Sequence, residues 1–252
     1  MKQFKEILIG LVVILVFGWL VTYVYRYETS SKNKELAKRI AELSPRGGPP
    51  ETIDGLRQAI AIYENQIERN VREGAQTGIY WKILAIRLAD KGLDSDALDA
   101  LERAIYYNSE EPILFYLTGV SAAKVAQKKI GFTANDREEK ERYYQLSENA
   151  YLRALELDAT YTKAMYGLAV LYAFELDRPQ DAVVQLDRYL QIQKSDINAM
   201  FILARSYYMM RSFSSAIEVY ERIVSRTKDQ KIKEEAFKNM DIVRESRERM
   251  YE

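Results

Sequence analysis

Residues 165–190 read MYGLAVLYAFELDRPQDAVVQLDRYL, in which two helical patterns follow one another. From Met165 onward, apolar and small residues recur at spacings of three, one and three, which is the periodicity of one face of an α-helix. Residues 177–179 interrupt this helix, because they end in a proline that cannot continue it. A second apolar face begins at Ala182, with spacings of four and three. The stretch therefore predicts two helices joined by a short turn.

The same pattern recurs along the chain. Residues 81–104 and 200–223 share one set of internal spacings, namely three, one, three, nine, four and three, and the copy at 165–189 has one extra residue at its turn. A further copy begins at Phe115, 34 residues after Trp81. Four copies with nearly constant spacing predict an all-α array of helical hairpins.

This pattern resembles the tetratricopeptide repeat family. A small residue follows four positions after the large residue that opens each first helix, and another stands in each second helix, where two helices cross closely. The small residues are Ala85, Gly119, Ala169 and Ala204 in the first helices, and Ala97, Ser147, Ala182 and Ala216 in the second helices. The resemblance covers residues 78–228 and implies four hairpins stacked in a right-handed superhelix that binds other proteins. The chain departs from the family in lacking the proline that often follows the second helix.

Composition excludes most catalytic chemistry. The 252 residues include no Cys and no His, which removes thiol nucleophiles, Ser-His-Asp triads and Cys-based zinc sites. Lys plus Arg and Asp plus Glu both number 37, so no net charge attracts nucleic acid. No phosphate-binding GxxxxGK[ST] motif occurs. We therefore expect neither an enzyme nor a cofactor, a metal or a nucleic-acid partner.

The run ILIGLVVILVFGWLVTYVY at residues 7–25 contains 19 residues without a charge. At 1.5 Å per residue this length matches the hydrocarbon thickness of a bilayer, so it predicts a transmembrane helix in contact with lipid, after an N-terminal tail at 1–6. A cleaved signal peptide and a buried core helix are the other interpretations. Both are less favoured, because the run exceeds a usual signal peptide core and has no polar face.

The flanking charges point in two directions. Two lysines precede the apolar run, whereas Arg26, Lys32, Lys34, Lys38 and Arg39 follow it, and this count would place the large domain in the cytoplasm. A short basic tail before an N-terminal apolar run is also typical of a signal anchor that exports the following domain. We therefore expect a single-pass membrane protein with its array in the bacterial periplasm, although the charge count argues for the cytoplasm.

Residues 26–77 are predicted to contain two short helices and a linker that together form a degenerate hairpin. The linker SPRGGPPE occupies 44–51, and an apolar helical face follows from Ile53 with Thr52 as its N-cap. At the other end, residues 229–252 predict a C-terminal capping helix with one apolar stripe.

The second hairpin carries a long insertion at 123–146. Two helices that extend past the array would explain it, and we give this interpretation more weight. The alternative is that the insertion contacts a partner, with Phe132 at its tip.

The first helix of each hairpin lines the concave side in this family, and here that side is mostly apolar and aromatic. The expected groove residues are Lys82, Ile83, Ile86, Tyr116, Leu117, Val120, Lys163, Tyr166, Val170, Phe174, Phe201, Arg205 and Tyr208. Some family members hold a C-terminal carboxylate with Lys, Asn and Arg. Because Ile86, Leu117 and Gly167 replace three of those residues, we expect an apolar peptide or an amphipathic helix as ligand instead.

Two alternatives to this binding role stay open at the level of sequence. Residues 31–71 lie next to the groove in the chain and could fill it from within, which we weigh equally with binding of a separate protein. The array could also self-associate as a homo-oligomer, as a structural component of an envelope complex.

Overall fold

The computed structural model describes residues 52–129 and 133–250. These residues contain nine α-helices and no strand. The helices are α1 (Ile53–Asp90), α2 (Asp94–Tyr107), α3 (Pro112–Lys128), α4 (Ala134–Leu157), α5 (Thr162–Phe174), α6 (Pro179–Ile192), α7 (Ile197–Met209), α8 (Phe213–Arg226) and α9 (Gln230–Glu248). The chain divides into two compact units, residues 1–73 and residues 74–252.

Helix α1 is a single helix of 38 residues, whereas the sequence predicted a separate helix that ended near Val71. Residues 72–77 contain no proline, so nothing forces the helix to end there. The Thr52 hydroxyl accepts a hydrogen bond from the Gly55 amide at 3.1 Å and caps the helix, as expected. The remainder of the expected hairpin, residues 26–51, lies outside the described residues.

The hairpin turns use the left-handed region of the backbone. Gly92, Asp177 and Arg211 have φ values of 74°, 49° and 58° and stand in the turns after α1, α5 and α7. Only glycine adopts this conformation without cost, so Asp177 and Arg211 are held there by the packing of the helices they connect.

Residues 123–146 fall largely within two long helices. Helix α3 continues to Lys128, and α4 begins at Ala134 with a capping box, in which Thr133 and Asp136 exchange two hydrogen bonds of 3.1 Å. Lys129, which directly follows α3, forms an ion pair of 2.5 Å with Glu139 of α4. Phe132, the expected tip of the insertion, lies outside the described residues.

The core of the second unit depends on close helix crossings. The Tyr151 ring of α4 lies between Gly119 of α3 and Gly167 of α5, and a Cβ atom at these glycines would come within 2.7 Å and 2.8 Å of the ring. Ser147 donates a hydrogen bond of 2.7 Å to the Gly119 carbonyl, so the small residue in this second helix also bonds to α3. Glycine is therefore required at both positions for the tyrosine to fit.

Helix α9 closes the C-terminal end of the array. Its apolar stripe of Ala236, Met240 and Val243 is buried against the preceding helices. The Asp229 carboxylate accepts the Lys231 amide at 2.8 Å and caps the start of the helix.

Within residues 52–129 and 133–250, no helix is long and apolar enough to cross a membrane. Helix α5 is apolar but has only 13 residues. Such a helix is about 20 Å long, whereas the hydrocarbon core measures roughly 30 Å. This finding contradicts the single-pass membrane localisation expected from the sequence. The segment 7–25, on which that expectation rested, lies outside the described residues.

Candidate functional site

The expected groove residues fall into three groups along the second unit. Lys82, Ile83 and Ile86 lie on α1. The middle group comprises Tyr116, Leu117 and Val120 on α3, with Lys163, Tyr166 and Val170 on α5. The third group comprises Phe174 at the end of α5, with Phe201, Arg205 and Tyr208 on α7. The third group lies together in one cavity.

In the first group, the charge of Lys82 is already neutralised. Its ammonium group lies 2.5 Å from the Glu111 carboxylate, and both side chains are partly buried. A ligand carboxylate would have to compete with Glu111 for this lysine. Ile83 and Ile86 are exposed and offer a shallow apolar surface.

In the middle group, the tyrosines pack against neighbouring tyrosines of the array. Tyr116 makes an edge-to-face contact with Tyr161 at 5.8 Å, and burial raises the pKa of the Tyr116 hydroxyl above its ordinary value. Tyr166 packs against Tyr189 at 5.4 Å, and Tyr189 donates a hydrogen bond of 2.6 Å to Asp196. The rings in this part of the groove therefore contribute to the stability of the array and leave little free surface.

The remaining positions of the middle group differ in exposure. Leu117 is half-buried against the smaller core cluster, and Val120 and Val170 against the larger one. Lys163 is exposed at the start of α5.

The third group lines a cavity of about 380 Å³ between α5, α7, α8 and the capping helix α9. Its lining residues are Phe174, Phe201, Ile202, Arg205, Tyr208, Tyr220, Glu235, Asn239, Ile242 and Val243. We call this cavity the C-terminal pocket.

Buried and half-buried apolar side chains form the floor of the C-terminal pocket. The rings of Phe201 and Tyr220 pack at 5.9 Å, and Ile202 and Val243 are buried beside them. Tyr208 closes one side, where its hydroxyl lies 3.2 Å from the Ser246 hydroxyl. This arrangement gives the pocket rigid walls for an apolar side chain.

Polar groups stand in the same pocket. The Arg205 guanidinium lies over the exposed Phe174 ring at 4.9 Å, a cation–π contact that fixes the arginine side chain. Glu235 and Asn239 line the pocket from α9. Among the described residues no group of three or more acidic side chains could hold a metal. The pocket thus combines an apolar floor with a guanidinium, a carboxylate and an amide, which suits the side chain and flanking backbone of a peptide.

Sequence reasoning did not identify the residues that α8 and α9 contribute. Tyr220 was counted only as a member of the repeat pattern, and Glu235, Asn239 and Ile242 were not singled out within the predicted capping helix. The sequence does contain a pattern that could have identified them. Glu235, Asn239 and Ile242 are spaced by four and three, and each directly precedes a residue of the buried stripe. These three residues lie at the edge of the buried face of α9, beside the C-terminal pocket.

Comparisons with known proteins agree with this architecture. No family model matches the chain. A TPR repeat-containing protein of Borreliella burgdorferi is 19% identical over 221 residues, which cover 86% of this chain and 94% of that protein. MamA of Desulfovibrio magneticus has 16% identity, with a TM-score of 0.51 over 68% of this chain and 96% of the other. The chain has the tetratricopeptide-repeat fold.

A further solved structure has the same tetratricopeptide-repeat fold. YrrB, described as a TPR protein with an unusual peptide-binding site, is 18% identical, with a TM-score of 0.52 over 74% of this chain and 85% of its own. Similarity at this level of identity supports the fold predicted from the sequence.

Proposed function

We propose that this chain is a protein-interaction module that performs no catalysis. In this proposal the hairpins form a right-handed superhelix, and its concave side binds an apolar peptide or an amphipathic helix. The C-terminal pocket takes the anchoring side chain of that ligand. One observation carries the proposal, namely the cavity of about 380 Å³ in which four of the expected groove residues meet the capping helix.

Recognition in this pocket would combine two kinds of contact. A large apolar side chain of the ligand would pack against Phe201 and Tyr220 and leave water, which contributes about 1.5–3 kcal/mol for full burial. The Asn239 amide and the Arg205 guanidinium would hydrogen-bond to the ligand backbone beside that side chain. Because the pocket also contains Glu235, it has no excess of one charge, and binding should depend little on salt.

Selection from a displayed library of random 12-residue peptides on the full chain tests the proposal. We expect the selected peptides to be rich in large apolar and aromatic residues. Phe201→Ala removes part of the pocket floor and should weaken their binding at least tenfold, as measured by fluorescence anisotropy.

Phe237→Ala is the matched control, because Phe237 is an exposed aromatic residue of α9 outside the pocket lining. This variant should bind the selected peptides like the unaltered chain, and circular dichroism should show that both variants keep their helices. Equal binding by Phe201→Ala and the unaltered chain would refute the pocket as the binding site.

A further inference from the structure

The first unit exposes an apolar stripe that the groove proposal does not use. Ile53, Leu56, Ile60, Tyr63 and Ile67 lie on α1 and are 40–70% exposed. We call these five residues the α1 stripe. An amphipathic helix normally buries such a stripe against another element, so this exposure calls for a partner.

The spacing of the α1 stripe is that of a coiled coil. The intervals of three, four, three and four residues place its members at the a and d positions of successive heptads, and Asn70 is the next d position. A stripe this narrow fits a second helix. Away from the stripe, Arg72 and Glu68 form an ion pair of 2.8 Å on the exposed surface of α1.

We propose that the α1 stripe binds the same stripe of a second copy of this chain, with the two helices antiparallel. In this alignment Ile60 faces Tyr63 of the second copy, and Leu56 faces Ile67 of the second copy. At each end of the seam, Ile53 lies opposite Asn70 of the second copy, where the amide can still reach water.

Charge complementarity selects the antiparallel orientation. Arg57 and Glu64 occupy the e positions that flank the stripe, and antiparallel helices bring e positions of the two copies together. Arg57 of each copy then lies beside Glu64 of the other, which forms two ion pairs. Within one helix Arg57 reaches only Asp54, at 3.4 Å and on the exposed surface. In a parallel dimer Arg57 and Glu64 would have no oppositely charged partner at the seam, and the two Asn70 side chains would face each other.

The size of the stripe sets the strength of the dimer. Five large side chains on each copy correspond to an interface near the lower limit of specific complexes, about 1,200 Å² in total. The dimer should therefore depend on protein concentration. The α1 stripe belongs to residues 1–73, whereas every residue of the C-terminal pocket belongs to residues 74–252, so either proposal can fail alone.

Disulfide cross-linking of the full chain tests the dimer, because the chain contains no Cys of its own. Leu56→Cys and Ile67→Cys are combined in one variant. The two positions are about 16 Å apart along α1, too far for a disulfide within one helix, which needs a Cα–Cα distance of about 4.4–6.8 Å. In the antiparallel dimer each cysteine faces the other kind in the second copy, so mild oxidation should give covalent dimers with two disulfides.

The matched control is Gln58→Cys combined with Arg69→Cys, which has the same separation on another face of the helix. This control and each single-cysteine variant should stay monomeric under denaturing electrophoresis. Efficient cross-linking of the single variants would mean a parallel dimer and would overturn the orientation. A double variant that stays monomeric would overturn the dimer, whether the stripe is covered by this chain itself or by another protein.

A charge exchange tests the orientation separately. Arg57→Glu in the double-cysteine background should lower the yield of covalent dimer several-fold. The new carboxylate at position 57 of each copy then lies beside the Glu64 carboxylate of the other copy, and the two repel each other. Combining Arg57→Glu with Glu64→Arg should restore the yield. If the yield does not change in either variant, Arg57 and Glu64 do not meet and the antiparallel alignment is wrong.

Discussion

The two ends of the array contain the same residue at the same repeat position in very different surroundings. Leu84 in the first hairpin is 43% exposed, whereas Leu168 and Leu203, its equivalents in the third and fourth hairpins, are 0% and 2% exposed. Within residues 74–252, α5 and α7 each follow the second helix of the preceding hairpin, whereas no hairpin precedes α1. The first helix of a repeat is buried against the preceding hairpin, so α1 stays more exposed. A repeat motif therefore fixes which residue can be buried, and the neighbouring repeat determines whether it is.

Truncating the equivalent leucines at the two ends of the array should change the free energy of unfolding by very different amounts. Leu203→Ala should lower the free energy of unfolding by about 2–5 kcal/mol, because it leaves a cavity in a closed core. Leu84→Ala removes the same atoms from a half-exposed site and should cost less than about 1 kcal/mol. Urea unfolding of the full chain, followed by circular dichroism, measures both changes. Equal losses for the two variants would show that burial at this position does not differ between the two ends.

Replacing a helical glycine by alanine should change the free energy of unfolding by an intermediate amount, in opposite directions at two positions. Gly119→Ala would place a Cβ atom 2.7 Å from the Tyr151 ring and should destabilise the chain by about 1–3 kcal/mol. Gly74→Ala meets its nearest neighbour at an ordinary 3.8 Å and should stabilise α1 by about 0.5–1 kcal/mol. Thermal unfolding of the two variants checks the sign, and a stabilising Gly119→Ala would contradict the packing of Tyr151 described above.

The smallest effect concerns the start of α4, the longer second helix of the second hairpin. Thr133→Ala removes the hydroxyl that accepts the Asp136 amide, which is one half of the capping box, and this loss should cost about 1 kcal/mol. Thr133→Ser keeps the hydroxyl and serves as the control. Hydrogen exchange of the first turn of α4 measures the change locally, and unchanged protection would show that the cap does not stabilise this helix.

The sequence predicts more about the fold than about the site. Helical spacing identifies the four hairpins and the cap, because periodicity reports which face of a helix is buried. It did not predict the continuity of α1 through Gly74 and Gly78. Gly78 lies where a Cβ atom would come within 2.6 Å of Asn108, a contact between residues 30 positions apart that no local pattern encodes.

The same limit applies to the candidate site. Spacing placed Phe174, Phe201, Arg205 and Tyr208 on one side of the array, and they do line one pocket. It could not show that Tyr116 and Tyr166 pack against other tyrosines, because those contacts depend on the angle between stacked hairpins. The contribution of α9 depends on the same angle.

Methyl NMR during a peptide titration of the full chain can show whether the ligand binds at the capped end of the array. The probe is a peptide selected from the displayed library, and the signals are isoleucine and valine methyl groups. Binding in the C-terminal pocket should shift the signals of Ile202, Ile242 and Val243 and leave those of Ile83 and Ile86 at the other end unchanged. Shifts confined to Ile83 and Ile86, with the pocket signals unchanged, would contradict binding in this pocket.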